Sequence, residues 1–167
     1  MKIENWIAVA SAAIAFVSFL ATMYFANRAA RSTETNRLIS MGQAETSQRA
    51  AITVTRTAVR EMGMKIADLL AGRKPTDLKA DEKRRLDTYM TLFNETVEDN
   101  LNAYETGCML YIDGKLDKTR FKSAYIREVQ NLCEAAAEHP CHAHLHPEGS
   151  SKFQAIWKVY REWHHHG

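Results

Sequence analysis

Between Glu4 and Arg28 lie 23 residues, Asn5 to Asn27, with no Asp, Glu, Lys or Arg, and few folds accommodate such a run. About twenty apolar residues at ~1.5 Å rise each make a helix that spans roughly 30 Å of hydrocarbon. Ile3 to Ala26 meets that length without Pro or Gly. The sequence therefore predicts a transmembrane helix, with Trp6 and Tyr24 at the two interfaces. A secretory signal peptide also begins with a charge and an apolar run. Its apolar core is shorter, roughly 7 to 15 residues, and Glu4 spoils the basic start. Arg28, Arg31 and Arg37 follow the run, whereas Lys2 precedes it beside Glu4. That asymmetry places the 140 residues from Arg28 onward in the cytoplasm. Cys108, Cys133 and Cys141, an odd number without framework spacing, suit a reducing compartment and predict no disulfide.

The rest of the chain is ordinary in composition. It has 22 Lys plus Arg against 20 Asp plus Glu, 25% charged residues, 7 Gly and 3 Pro in 167 residues. This excludes collagen-like, linker-like and turn-rich all-β classes, and with a mean hydropathy of −0.38 it excludes a polytopic membrane protein. The expected fold class is all-α: an N-terminal transmembrane helix (1–27), a long connecting helix (28–74) and a C-terminal three-helix cytoplasmic domain (75–167). Within the first segment Ala8, Ser11, Ala15, Ser18 and Thr22 recur at steps of three and four. A small or hydroxyl stripe of this kind lets helices in lipid approach closely, so it points to self-association; a monomeric anchor that merely tolerates Ala and Ser is the other reading.

From Asn27 to Ala71 there is no Pro and only two Gly. Leu38, Met41, Ile52, Val59, Met62, Ile66 and Leu69 form one seam of period about 3.5, with Glu45, Gln48 and Thr55 as polar layers, which predicts a coiled coil between copies of the chain. The β-branched stretch Ile52–Val59 alternates like a strand, but a single strand would have no partner. Gly72 and Pro75 then stop the helix. A second helix, capped by Asp77 or Asp81, carries Leu86, Tyr89, Phe93, Val97, Leu101, Tyr104, Cys108 and Tyr111 on one face to about Ile112. Asp117 caps a third with Phe121, Tyr125, Val129, Leu132 and Ala136 buried. A loop from His139 to Gly149 leads to a last helix, capped by Ser150 or Ser151, with Phe153, Ile156, Trp157, Tyr160 and Trp163 on its apolar face.

Two constellations could carry chemistry. His139 to Pro147 places one thiol and four imidazoles together, and Cys141, His142, His144 and His146 are the residue types that bind zinc. No second ligand pair stands at structural-zinc spacing, so a polar or anion-contacting loop is the expectation and no metal is assigned. His164 to His166 are given no role. The other constellation is a charge contrast. Glu95, Glu98, Asp99 and Glu105 precede Lys115, Lys118, Arg120, Lys122 and Arg127. Neighbouring helices that complement each other would explain it. The alternative is an anion site: Arg120, Arg127 and Asn131 share a helix face, guanidinium forks suit phosphate, and His142 and His144 could contribute. With no Gly-rich phosphate loop and no Ser beside a general base, an enzyme is not expected.

The stretch Leu101 to Phe121 (LNAYETGCMLYIDGKLDKTRF), closing with Ala155 to Trp163 (AIWKVYREW), resembles small bacterial proteins with one membrane helix and a helical cytoplasmic domain. The layout of membrane helix, coiled connector and compact basic domain is similar to membrane effectors that accompany type III CRISPR systems. That resemblance implies a single-pass protein of the bacterial inner membrane, oligomeric, acting in antiviral defence, whose cytoplasmic domain binds cyclic oligoadenylate and which disturbs the membrane. The alternative expectation is a membrane-tethered, oligomeric module that presents its helices to a protein partner.

Overall fold

The computed structural model describes residues 3–164, with side chains at Phe16 and from Ser18 onward. Every regular element among them is helical: α1 (Ile3–Leu70), α2 (Ala80–Ile112), α3 (Lys118–Cys133), α4 (His142–Leu145) and α5 (Gln154–His164), with single 3₁₀ turns at Pro75–Asp77 and Glu148–Ser150. The chain divides into two compact units, Met1–Met41 and Gly42–Gly167.

The first unit holds the beginning of α1. Its described side chains Phe16, Phe19, Leu20, Met23, Tyr24 and Phe25 are exposed, as are Leu38 and Ile39. Thr22 donates to the Ser18 carbonyl at 2.8 Å, one helical turn back. Among the described residues no helix is long and apolar enough to cross a membrane. The expected transmembrane span, the inner-membrane localisation and the cytoplasmic placement that followed from it are corrected accordingly. The described side chains supply only Phe16 and Ser18–Asn27 of the charge-free run, about half of the ~20 residues a span requires. Of the small-residue stripe, Ala8, Ser11 and Ala15 lie outside the described side chains, and Ser18 and Thr22 are exposed.

The second unit starts at Gly42, inside the expected connector, so the later part of α1 belongs to the helical domain. The middle of its seam packs within the chain. Ile52 is 1% exposed in the main core, Gln48 donates to the Ala103 carbonyl of α2, and Asn100 of α2 donates to the Thr55 hydroxyl at 2.9 Å. The threonines that argued for a strand are compatible with helix because each hydroxyl bonds the carbonyl four residues back: Thr53 to Arg49, Thr55 to Ala51 and Thr57 to Thr53, at 2.8, 2.9 and 2.9 Å. The helix ends at Leu70, with Gly72 at φ 78°.

Core faces of α2, α3 and α5 follow the periodicity at Val97, Leu101, Tyr104, Cys108 and Tyr111; Phe121, Tyr125 and Val129; Ile156, Trp157 and Trp163, whereas Ala136, expected on the α3 face, is exposed because that helix ends at Cys133. At their centre Tyr111 meets Trp163 edge-on at 5.3 Å and Phe121 meets Tyr125 at 4.9 Å. The caps differ in part. Asp117 caps α3 by accepting from the Arg120 amide at 3.0 Å. At α2 the cap position is Lys79, whose amide donates to Glu82 at 2.9 Å, so neither Asp77 nor Asp81 has that role. At α5 the Ser151 hydroxyl accepts only from the Phe153 amide. The amides of Ala155 and Ile156 instead donate to Glu105 of α2, at 2.9 and 3.0 Å.

Candidate anion-binding cleft

Glu45, Thr46 and Arg49 follow Gly42 at three, four and seven residues, so the four share one face of α1. Opposite them stand Thr119, Arg120, Ser123 and Ala124 from the first two turns of α3. The small side chains of Gly42, Ser123 and Ala124 leave room, and the two helices border an open cleft of about 680 Å³, within the roughly 300–1,000 Å³ of small-molecule sites. Its lining carries two guanidinium charges against one carboxylate.

These charges are arranged unequally. Arg49 donates to Glu45 Oε1 at 2.8 Å, an i,i+4 pair within α1. Arg120 lies 3.9 Å from Glu45 Oε2 and 3.9 Å from Asp117 Oδ2, which is ion-pair range but beyond a hydrogen bond. The Arg120 side chain is 71% exposed, while that of Glu45 is 12% exposed. Among the described residues the Arg120 guanidinium donates no hydrogen bond. Thr46 is committed to the Gly42 carbonyl, whereas Thr119 and Ser123 are exposed at the rim. A planar fork with unspent donors beside a second guanidinium suits the oxygens of a phosphate.

The other expected ligand residues lie elsewhere. Lys118 Nζ sits 5.0 Å over the Tyr111 ring, Lys115 pairs with Asp113 at 3.0 Å, Lys122 is half-buried on α3, and Arg127 is exposed two turns beyond Arg120. None of these lines the cleft. Asn131, expected beside Arg120, lines a separate cavity of about 290 Å³ with Arg56, Tyr104, Glu128 and His139. There Tyr104 donates to Glu128 at 2.6 Å and Arg56 donates to both, tying α1, α2 and α3 together. Burial and the Glu128 carboxylate hold the Tyr104 phenol far above its ordinary pKa. Two of the four acidic residues that made the charge contrast are engaged with distant partners: Glu98 with Lys152 and Glu105 with the start of α5. Neither partner comes from the basic stretch 115–127, so the pairing of the two stretches that the sequence suggested is not what engages Glu98 and Glu105.

The histidine loop folds onto the domain. His142 stacks on His146 at 4.2 Å, the His146 edge meets Trp157 at 5.3 Å, and His146 Nε2 is 3.0 Å from the Cys133 carbonyl. His139 Nδ1 accepts from the Cys141 amide at 3.2 Å. Among the described residues, Cys141, His142, His144 and His146 included, no three His, Cys, Asp or Glu side chains are grouped to hold a metal ion. Of the cleft's lining, sequence reasoning named only Arg120 as a ligand residue; among those it missed are Arg49 and Glu45. Their signal was the i,i+4 acid–base pair, but Glu45 was absorbed into the seam. In comparisons with protein-family models, curated proteins and solved structures, the chain matches none.

Proposed function

We propose that the Gly42–Gly167 unit is a non-enzymatic receptor for a phosphate-bearing ligand held in the α1–α3 cleft. The observation that carries this reading is the exposed Arg120 guanidinium, which donates no hydrogen bond among the described residues and lines, with Arg49, a cleft of ligand size. Thr119 and Ser123 supply hydroxyls for the remaining oxygens. The ligand class is a nucleotide messenger; the sequence resemblance suggests cyclic oligoadenylate and a role in antiviral defence.

A titration with cyclic tetra-adenylate, read as a shift of the melting curve, tests the reading. Binding should weaken as salt rises, because exposed charges are screened. Each charge-assisted hydrogen bond contributes about 1.5–3 kcal/mol, so Arg120→Ala or Arg49→Ala should reduce affinity tenfold or more. If cyclic oligoadenylate produces no shift at concentrations well above micromolar, the nucleotide assignment fails.

A second reading rests on a different observation. The exposed side chains of Phe16, Phe19, Leu20, Met23, Tyr24 and Phe25 are more apolar surface than a helix in water ordinarily shows. It favours a homo-oligomeric interaction module, for which sedimentation of wild type against a Phe19→Ser, Met23→Ser variant is the check.

A further inference from the structure

The cleft offers more than positive charge. Glu45 Oε1 is occupied by Arg49 at 2.8 Å, but Oε2 accepts no hydrogen bond among the described residues. That oxygen stands 3.9 Å from Arg120 Nη1, whose own donors are unspent. The Glu45 side chain is 12% exposed, and Oε2 is the part of it that opens to the cleft. An unused acceptor and an unused cationic donor thus lie side by side in one cleft, an arrangement that a bare anion does not match. A phosphate alone would satisfy Arg120 and would bring its own negative oxygens against Oε2. A ligand with an acidic oxygen and a hydroxyl on adjacent carbons satisfies both groups: the phosphate oxygen accepts from Arg120 and the hydroxyl donates to Glu45.

We infer that the ligand of this cleft is a phosphate ester with a hydroxyl on the neighbouring carbon, the unit found in a ribonucleotide 3′-phosphate, and that Glu45 is the residue that reads the hydroxyl. The inference rests on the anion-receptor reading above and adds its specificity. A carboxylate placed to bond a ligand hydroxyl discriminates against the analogue that lacks it, since bound ligand then covers the acceptor and leaves it unpaired beside an anion. Glu45 also counters the two arginines, so anions without the hydroxyl gain less from the cleft's charge.

Calorimetric titration of the full chain with adenosine 3′-monophosphate, 2′-deoxyadenosine 3′-monophosphate and inorganic phosphate separates the two ideas. The ribonucleotide should bind at least tenfold more tightly than its deoxy counterpart. Glu45→Ala should erase that ratio while tightening inorganic phosphate. Glu45→Gln, which keeps the shape of the side chain, should reduce the ratio with an unchanged melting curve and so guards against a folding defect in the alanine variant. Equal binding of the two nucleotides, still dependent on Arg120, overturns the inference and leaves the anion receptor standing. A ribose preference that survives in both Glu45 variants overturns the role of Glu45. Failure of the wild-type chain to bind any of the three overturns both readings.

Discussion

At the scale of single residues, Gly107 sets how closely the helices of the domain approach. A Cβ on it would lie 3.0 Å from Gln48 Nε2 and 3.0 and 3.1 Å from two ring atoms of Phe121. Gln48 is tied to the Ala103 carbonyl, and Phe121 is wedged among Tyr111, Tyr125 and Trp163, so neither neighbour has room to yield. Overpacking costs about 1–3 kcal/mol, whereas Ala in place of Gly in a helix returns about 1 kcal/mol. Gly107→Ala should therefore lower stability by about 1 kcal/mol in urea unfolding, and Phe121→Leu in the same chain should recover part of that loss. An unchanged midpoint would mean that the aromatic cluster is softer than its contacts imply. Nothing in the sequence marked this glycine, because it follows the helical pattern of α2 and its neighbours are contributed by α1 and α3.

Among the elements, α5 depends on a residue far away in the chain. Its 11 residues are too few for a stable isolated helix, and two of its first amides are held by the Glu105 carboxylate of α2. Removal of an N-terminal cap costs about 0.5–2 kcal/mol, and here the cap is charged and lies near the positive end of the helix dipole. Glu105→Ala should lower stability by about 1–2 kcal/mol and raise amide exchange selectively over 154–164, while α3 keeps its protection. The same case shows what was legible in the sequence. Periodicity identified the buried faces of α2, α3 and α5, since spacing is a local property. It assigned the α1 seam to a second copy of the chain because a stripe states that a face is covered, not by what; Gln48 and Thr55 find Ala103 and Asn100 instead. Glu98 and Glu105 read as an unbalanced acidic patch because Lys152, Ala155 and Ile156 lie about fifty residues on. For the candidate site, composition identified Arg120, whereas Arg49 and Glu45 could join it only once α1 was known to lie beside α3.

Across the whole molecule, the response to pH follows from which groups the fold holds away from their ordinary pKa. On the acid side, the Lys79 amide and Arg73 hold Glu82 below the usual carboxylate range, and Lys152 does the same for Glu98. Their contribution is present above the unfolded value of about 4.3 and is lost as pH falls through the folded values. On the alkaline side, burial raises the Cys141 thiol to about 11, and burial with the nearby Glu134 carboxylate raises Cys133 to about 12. A hydrogen bond to Glu134 and burial lift Tyr160 to about 12. The sign is the reverse of the acid case: the unfolded chain releases thiol protons near pH 8.5 while the folded chain retains them, so ionisation favours the unfolded state as pH rises toward the folded values. Unfolding free energy, measured in urea with a reductant present, should hold steady through neutral pH and decline from about pH 8.5 upward. Cys141→Ala should be less stable at pH 7.5, because it trims a buried side chain, yet its decline between about pH 8.5 and 10.5 should be shallower than that of the wild type. Parallel slopes would show that Cys141 ionises alike in both states, and that its burial is not maintained in solution.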